Sequence, residues 1–345
     1  MTGVATSAGD LTEAWLSIAL ETDVRSVRVE RIGTGQTSAT YRLRIDADGI
    51  PETMVAKLAE GDQDARRRVA TAHRSEVGFY TELAPTLDVR VPACWYADIS
   101  EDATRFTLLL EDLSPRAAGR QTDGCTLGQA AGAVRNLARL HASRWNDETL
   151  RDVGFLMPLT RQRATFLADL VKVATHQFIA RYAGHLSDSD KTTLREVAEA
   201  LLDWQVGRPE PFSVIHGDYR LDNLMFHPAG GEVVAVDWQT TTVALPARDL
   251  AYFIGTSLPT QQRRVMEDEL VLAYHRELQE QTTISYTYDH CVADYRVGHL
   301  HGPMITVLGS MTSAGARDAL ADDMFLSMAR RSCAAVRDLR SLEAL

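Results

Sequence analysis

The segment VIHGDYRLDNLMF, residues 214–226, places two carboxylates, a histidine, an arginine and an asparagine between apolar residues. Transfer of a phosphoryl group needs oxygen ligands for metal ions, a carboxylate that orients the attacking hydroxyl, and a cation near the developing charge. Asp218, Asn223 and Asp237 can supply the oxygen atoms, and Arg220 can supply the cation. The segment therefore suits a phosphate-transfer loop, half of a two-metal hydrolase site, or a polar turn without chemistry.

The spacing of these residues predicts that they come together. Asp218 and Asn223 follow the pattern D-x-x-x-x-N, and Asp237 comes after the turn sequence HPAGGE at 227–232. Gly and Pro in such a turn favour a hairpin between the flanking strand-like segments. The second strand would then return Asp237 to the side of Asn223.

A second group of chemically capable residues lies nearer the N-terminus. Gly33 and Gly35 stand in IGTGQTSATYRL, a turn between two predicted strands that can lay backbone N–H groups over phosphates. Lys57 lies in the next predicted strand, and Glu76 lies on the apolar stripe of a predicted helix. A carboxylate that faces a core is costly unless it is paired. We therefore expect Lys57 and Glu76 to form an ion pair that holds the lysine against the phosphates.

The elements that must position these residues change in character along the chain. Residues 26–112 read mostly as short strands, interrupted by one helix from about Gln63 to Leu83. Helical patterns dominate later, over 126–146, 161–183, 188–205, 260–281, 286–310 and 316–342. A β-rich island, SVIHGD, NLMF and VVAVDW, sits among them. The sequence predicts an α+β protein with a small sheet lobe, 1–112, and a larger, mainly helical lobe, 113–345, with the boundary near Glu111 to Pro115.

Several segments resemble the aminoglycoside phosphotransferase and choline-kinase-like branch of the protein-kinase-like fold, which includes ecdysteroid-kinase-like proteins. HGDYRLDN is similar to its catalytic loop, VAVDWQ to its magnesium-binding segment and RSEVGFYTEL to the helix that carries the lysine-pairing glutamate. LLLEDL resembles the hinge, NLARLH a recurrent helix, and PARDLAYF the segment that braces the loop. The resemblance covers roughly residues 30–255 and implies a bilobal kinase-like fold.

The resemblance also implies roles for individual residues. Asp218 would be the catalytic base and Arg220 a phosphate-contacting cation, while Asp249 would brace the loop. ATP would lie between the lobes, with Mg²⁺ bridging its phosphates. The remaining implied roles are Lys57 on the α- and β-phosphates with Glu76 as its partner, Gly33 and Gly35 in the phosphate loop, Glu111 and Leu113 at the adenine, and Asn223 and Asp237 as magnesium ligands.

Three departures from protein kinases indicate the kind of acceptor. Ser38 stands where a full G-x-G-x-x-G loop has its last glycine, DWQ replaces D-F-G, and no A-P-E segment follows Asp237. The short stretch after Asp237 leaves no room for a long activation loop, which favours a small-molecule hydroxyl as acceptor. Aminoglycosides, sugars, amino alcohols and sterol-like alcohols all remain open.

Two other functions compete with this interpretation. IHGD at 215–218 and GHLHG at 298–302 are similar to parts of a two-metal phosphoesterase, but the Asn-His step of such a site is missing. A catalytically inactive nucleotide-binding pseudokinase would bind ATP without turnover. The intact set of Lys57, Asp218, Asn223 and Asp237 argues against that alternative.

Other polar residues have simpler interpretations. His216 is expected to pack and hydrogen-bond behind the loop, His141 to lie in the interior, and Asp222 to face solvent. Acidic and aromatic residues of the segment 286–323 could form a pocket for a cation, but the outer face of two helices is the favoured interpretation. They are Tyr286, Tyr288, Asp289, Asp294, Tyr295, Asp318, Asp322 and Asp323.

The composition bounds the remaining possibilities. The chain of 345 residues is 45% hydrophobic and 24% charged, as in an ordinary globular protein, and its net charge is -11. An acidic chain is a poor partner for nucleic acid or an anionic membrane surface. Four cysteines without metal-binding spacing, and a start without basic or apolar signal regions, favour a reducing cytoplasmic location.

Overall fold

The chain builds two compact units. The computed structural model describes residues 3–33, 38–156, 159–207, 211–312 and 319–345. The first unit is built from residues within 1–87, 91–115 and 236–241, and the second from 88–90, 116–235 and 242–345. The lobe ranges 1–112 and 113–345 stay a prediction.

An antiparallel sheet forms the centre of the first unit. Its order is β1-β2-β3-β5-β4, and a short helix, α1, precedes it. The bounds are α1 Glu13–Ala19, β1 Ser26–Ile32, β2 Ser38–Asp46, β3 Thr53–Ala59, α2 Gln63–Arg68, α3 Ala70–Gly78, β4 Cys94–Ile99 and β5 Phe106–Glu111. Side chains alternate between the faces of β3, so Met54, Ala56 and Leu58 are buried in the core beside α1 while Lys57 projects from the opposite face.

The predicted helix from Gln63 to Leu83 is interrupted. The chain leaves helical geometry at Val69, where φ is -108° and ψ is 9°, and α3 continues into a π-helical turn at Phe79–Leu83. Val69 is β-branched, and such residues restrict the rotamers that fit inside a helix. The helical stripe is nevertheless real, because His73 and Glu76 are both buried on α3.

Short strands and long helices form the second unit. Their bounds are β6 Ala117–Ala118, α4 Leu127–Ser143, α5 Arg161–Arg181, α6 Asp188–Gly207, β7 Ser213–Ile215, β8 Leu224–Phe226, β9 Val234–Ala235, β10 Thr242–Ala244, α7 Ala247–Ser257, α8 Thr260–Gln281, α9 Tyr288–Gly298, α10 His301–Thr312 and α11 Ala319–Asp338. Strand β8 pairs with β6 and β9, and β7 pairs with β10. The predicted turn HPAGGE closes the β8–β9 hairpin, with positive φ at Gly230 and Gly231.

Three elements differ from the sequence-based expectation. The predicted helix 286–310 is two helices, α9 and α10. Helix α7 was not predicted, and all of its residues are buried, including the polar ones. Strand β4 was also missed, and residues 316–318 of the predicted last helix lie outside the described residues.

The second unit has its own apolar core. Buried residues of α5, α6, α10 and α11 pack together there, among them Phe178, Leu201 and Val307. In the described part of the chain, no helix combines the length and the apolar character needed to cross a bilayer.

Helices α7 and α9 approach each other closely at a glycine. A Cβ atom added at Gly298 would lie 2.5 Å from the carbonyl oxygen of Ala247. We predict that Gly298→Ala lowers the free energy of unfolding by about 1–3 kcal/mol, because backbone rather than a flexible side chain must move. Denaturant unfolding measures the change.

Gly128→Ala is the matched control. Gly128 also lies in a helix, but a Cβ there would meet nothing within 4 Å. Alanine should leave stability equal or higher, by up to about 1 kcal/mol. Equal effects of the two substitutions would show that the close approach at Gly298 does not constrain the fold.

Candidate active site

A buried lysine lies between two carboxylates in the first unit. Lys57 Nζ is 2.6 Å from Glu76 Oε1 and 2.9 Å from Asp237 Oδ1. Strand β3 carries the lysine, α3 carries the glutamate, and the segment 236–241 brings Asp237 from 180 residues along the chain. The predicted contact between Lys57 and Glu76 is present.

The charge of Lys57 is held firmly. Its side chain is only 12% exposed, and that of Glu76 is 3% exposed. Burial alone would lower the pKa of Lys57, but the charges of Asp237 and Glu76 outweigh it and raise the pKa above its ordinary value. The lysine is therefore a fixed cation, which is the property that binding of phosphate oxygens requires.

Stacked aromatic rings fix the segment that carries Asp237. Trp238 is fully buried and stacks on Phe79, with ring centroids 3.8 Å apart and an interplanar angle of 6°. Phe79 follows Glu76 by one turn, so the same packing supports both carboxylates that hold the lysine. Asp237 itself has φ 69° and ψ 65°, a left-handed conformation that aspartate tolerates better than most residues.

The other predicted nucleotide-binding residues of the first unit lie at strand ends. Gly33 follows β1 with φ 71°, while Gly35 lies outside the described residues. Glu111 ends β5, where its backbone N–H donates to Ala93 O and its Oε2 accepts from Ala93 N. Leu113 is buried just beyond it. Their predicted roles stay predictions.

In the second unit, three donors surround the carboxylate of Asp218. Tyr252 donates its hydroxyl to Oδ1 at 2.6 Å, while Arg220 Nε and Asn223 Nδ2 each donate to Oδ2 at 3.1 Å. Burial raises the pKa of Tyr252 well above its ordinary value, so this phenol stays protonated and donates. The side chain of Asp218 is 18% exposed, which leaves a path to it from solvent.

Arg220 ties the loop together. It contacts the carboxylates of Asp218 and Asp222. Burial alone would lower the pKa of Arg220, but its neighbours together, Asp218 first among them, outweigh burial and raise the pKa. The side chain of Asp222 is 34% exposed, so it faces solvent in part, while Oδ1 accepts from the backbone N–H of Gln121 and Oδ2 meets Arg220. Gln121 also accepts from Leu221 N.

A buried aspartate holds the backbone at the start of the loop. Asp249 on α7 accepts from His216 N at 2.6 Å and from Gly217 N at 2.9 Å. Burial acts to raise the pKa of Asp249, but the neighbouring imidazoles, first that of His141, outweigh it and lower the pKa. Asp249 therefore stays ionised. His301 completes the cradle through Nε2 and the carbonyl of Gly217, 2.9 Å apart.

The histidines behave largely as expected. His216 is buried behind the loop, with Nδ1 accepting from Asp218 N at 3.3 Å. His141 lies in the interior, 2.8 Å from the hydroxyl of Tyr274.

Sequence reasoning missed Tyr252 and Gln121, since polar contacts between distant segments leave no local periodicity.

The available ligand atoms fit Mg²⁺. The NH₂ group of Asn223 donates to Asp218, both to its backbone carbonyl oxygen at 2.9 Å and to its carboxylate. The side-chain oxygen of Asn223 is therefore the atom that can bind a cation. Asp237 offers carboxylate oxygens. Among the described residues no group of three or more His, Cys, Asp or Glu side chains is placed to hold a metal ion. Mg²⁺ characteristically takes one or two protein ligands together with substrate phosphates and water, so such a group is not required.

Four of the acidic and aromatic residues of 286–323 form hydrogen bonds within the unit. Tyr286 and Asp294 are buried and bond each other at 2.9 Å. Buried Tyr295 bonds Glu267 at 3.3 Å, and Asp322 bonds Arg181. The outer-face interpretation is therefore wrong for the three buried residues. Asp318 lies outside the described residues.

The chain belongs to the ecdysteroid kinase-like family, whose model matches residues 34–286. Choline kinase from Cryptosporidium parvum has a similar structure, with a TM-score of 0.60, 10% identity and coverage of 92% of this chain and 91% of that one. Aminoglycoside 2'-phosphotransferase-IIIa, solved as its GDP complex, aligns with a TM-score of 0.54, 15% identity and coverage of 90% and 93%. These likenesses confirm the predicted protein-kinase-like fold, and family membership points to small-molecule kinase activity in general.

A longer relative matches in part. Acyl-CoA dehydrogenase family member 11 of Gallus gallus is 38% identical over 239 residues, which are 66% of this chain and 28% of that protein. The chain thus spans less than a third of the relative's length. The dehydrogenase name describes the whole longer protein and is not carried over to this chain.

The hydrogen bonds from the loop backbone to Asp249 should contribute measurably to the free energy of unfolding. Asp249→Ala leaves His216 N and Gly217 N without their acceptor, and each unsatisfied buried N–H costs about 1–3 kcal/mol. We predict a loss of about 2–6 kcal/mol in the free energy of unfolding, with Asp249→Asn intermediate because it keeps one acceptor oxygen. Denaturant unfolding is the measurement.

Asp46→Ala is the control for that series, because Asp46 is paired with Arg25 at an exposed site. Its unfolding midpoint should match that of the wild type. A wild-type midpoint for Asp249→Ala as well would contradict the bracing role.

Proposed function

We propose that this protein is an ATP-dependent phosphotransferase that moves the γ-phosphate to a hydroxyl group of a small molecule. The observation that carries the proposal is the buried Lys57, paired with Glu76 and Asp237. A fixed cation beside a carboxylate that can also ligate a metal is the arrangement that phosphoryl transfer uses to bind phosphate groups.

Lys57 binds the α- and β-phosphates in this proposal, with Glu76 holding its side chain in place. Gly33 and Gly35 supply backbone N–H groups to the phosphates, and the adenine lies against Glu111 and Leu113. Asn223 and Asp237 would hold Mg²⁺, which neutralises phosphate charge when bound.

Asp218 is proposed as the base that orients the acceptor hydroxyl and takes its proton. An ionised carboxylate has about four sites that accept hydrogen bonds. The donors Tyr252, Arg220 and Asn223 occupy three of them. The remaining site is available to the acceptor hydroxyl. Arg220 adds positive charge beside the reacting groups.

The acceptor is proposed only as a small-molecule alcohol, with aminoglycosides, sugars, amino alcohols and sterol-like alcohols as classes to screen. The phosphoesterase alternative gains no support, because His216 and His301 are buried and hydrogen-bonded to the loop backbone. The pseudokinase alternative differs in one observable, since it predicts ATP binding without turnover. A cytoplasmic location stays a prediction.

We predict that Asp218→Asn folds normally, binds nucleotide and loses about 10²–10⁴-fold in kcat, since the base role is removed. ATP consumption over an alcohol panel gives kcat, and calorimetry gives nucleotide affinity. The control is Asp203→Asn, which changes an exposed aspartate on α6 in the same way. Wild-type kcat in Asp218→Asn would refute the assignment of the base.

A second prediction concerns the metal. Asp237→Asn keeps an oxygen atom for Lys57 but removes the negative charge offered to Mg²⁺. We therefore expect the Mg²⁺ concentration that gives half-maximal activity to rise by about 10-fold or more. Magnesium titration at fixed ATP measures the shift, with Asp203→Asn as the unaffected control. An unchanged Mg²⁺ requirement would show that Asp237 is not a ligand.

A further inference from the structure

Arg248 is a buried arginine that forms no ion pair with another described residue. It lies in the first turn of α7 and is 8% exposed. Its Nε is fully buried and has no hydrogen-bond partner, and its Nη atoms form no hydrogen bond with another described residue. Burial lowers its pKa to about 10, which reflects the cost of this charge.

The guanidinium is held in a defined orientation. Its central carbon lies 3.9 Å from the centroid of the Trp204 ring, a close cation–π contact. Trp204 is itself buried, and its indole N–H donates to Val297 O at 2.9 Å. The ring therefore cannot turn freely, and it holds in place a guanidinium whose terminal nitrogens have no hydrogen-bond partner among the described residues.

A second buried arginine of this unit, Arg263, is paired with carboxylates. Arg263 is fully buried, and it contacts both Glu267 and Asp338. Removing an ion from water costs several kcal/mol unless a counter-charge is supplied. Arg263 has two counter-charges within the chain, and Arg248 has none among the described residues beyond its sequence neighbour Asp249, which is engaged with the loop.

Arg248 is connected to the loop of the proposed base through one face of α7 and through packed rings. Arg248 and Tyr252 are four residues apart on α7, so they share one face of the helix, with Cβ atoms about 5–6 Å apart. Tyr252 donates to Asp218 Oδ1. The ring of His301, which contacts Gly217 O, lies 5.4 Å from that of Tyr252 and 6.3 Å from that of Trp204. The unpaired arginine and the loop of Asp218 are therefore linked through directly packed rings.

We propose that Arg248, supported by Trp204, binds a carboxylate or phosphate group of the acceptor, so that the preferred substrates are alcohols that carry a negative charge. This deepens the proposed function and rests on it. The site runs against the net charge of -11, which by itself would repel an anion. A bidentate guanidinium supplies both the attraction and the geometry for such a group.

The test uses hydroxycarboxylates of increasing length, from glycolate to hydroxyhexanoate, each beside its uncharged primary amide. A hydrogen bond to a charged group is worth about 1.5–3 kcal/mol, so wild type should prefer the best acid over its amide by about 10- to 100-fold in kcat/KM. Arg248→Met keeps the length of the side chain and should abolish the preference. Arg248→Lys keeps the positive charge but lacks the planar guanidinium, so its acid-to-amide preference should be intermediate.

A binding measurement makes the test independent of catalysis. Glycolate and inorganic phosphate are titrated against the full chain without nucleotide, and the melting temperature is followed. Saturable stabilisation should appear in the wild type and disappear in Arg248→Met. Arg151→Met is the control, because Arg151 also lies over a ring, that of Phe212 at 5.7 Å, but is exposed and paired with Glu148.

The outcomes separate the two proposals. Equal anion response and equal acid-to-amide ratios in the wild type and Arg248→Met would overturn the anion site, even if alcohols are phosphorylated. Arg248-dependent anion binding without phosphorylation of any alcohol would support the site and count against the proposed function.

Discussion

A lysine buried between two carboxylates is the constraint on which the proposed chemistry depends. An ammonium group that is 12% exposed cannot stay charged without counter-charges, and Glu76 and Asp237 supply them. Removing either partner would leave the buried lysine with one counter-charge in place of two. The pair therefore fixes the register of β3 against α3, and it draws the segment 236–241 into the first unit.

Helix α7 plays the corresponding part in the second unit. Asp249 holds two backbone N–H groups of the loop, Tyr252 holds the carboxylate of Asp218, and Thr256 accepts from Gln121, whose side chain holds Leu221 N. These three residues recur at intervals of three and four, the spacing of one helical face. A single rigid helix thus positions the proposed base from several directions, which is what a preorganised site requires.

Much of this arrangement was predictable from the sequence, for identifiable reasons. Lys57 and Glu76 could be paired because the period of a strand and the stripe of a helix each assign a face to one residue. Asp218, Asn223 and Asp237 stand out because their types and spacing match a chemical need. The fold followed from the order of these segments, and family membership and structural neighbours confirm it.

What could not be predicted depends on contacts between distant segments. Helix α7 was not predicted, so Tyr252 and Arg248 could not be assigned to one face of a helix. Gln121 reaches the loop from 100 residues away. Gly298, the last residue of α9, lies close to Ala247 of α7, and this contact with another helix also leaves no local sequence signal.

Phosphorus NMR of the protein with ATP, Mg²⁺ and a mixed panel of alcohols tests the central claim most directly. The account predicts a new phosphomonoester signal that grows as the γ-phosphate of ATP disappears and ADP accumulates. Unchanged ATP with every alcohol, or release of inorganic phosphate alone, would contradict it.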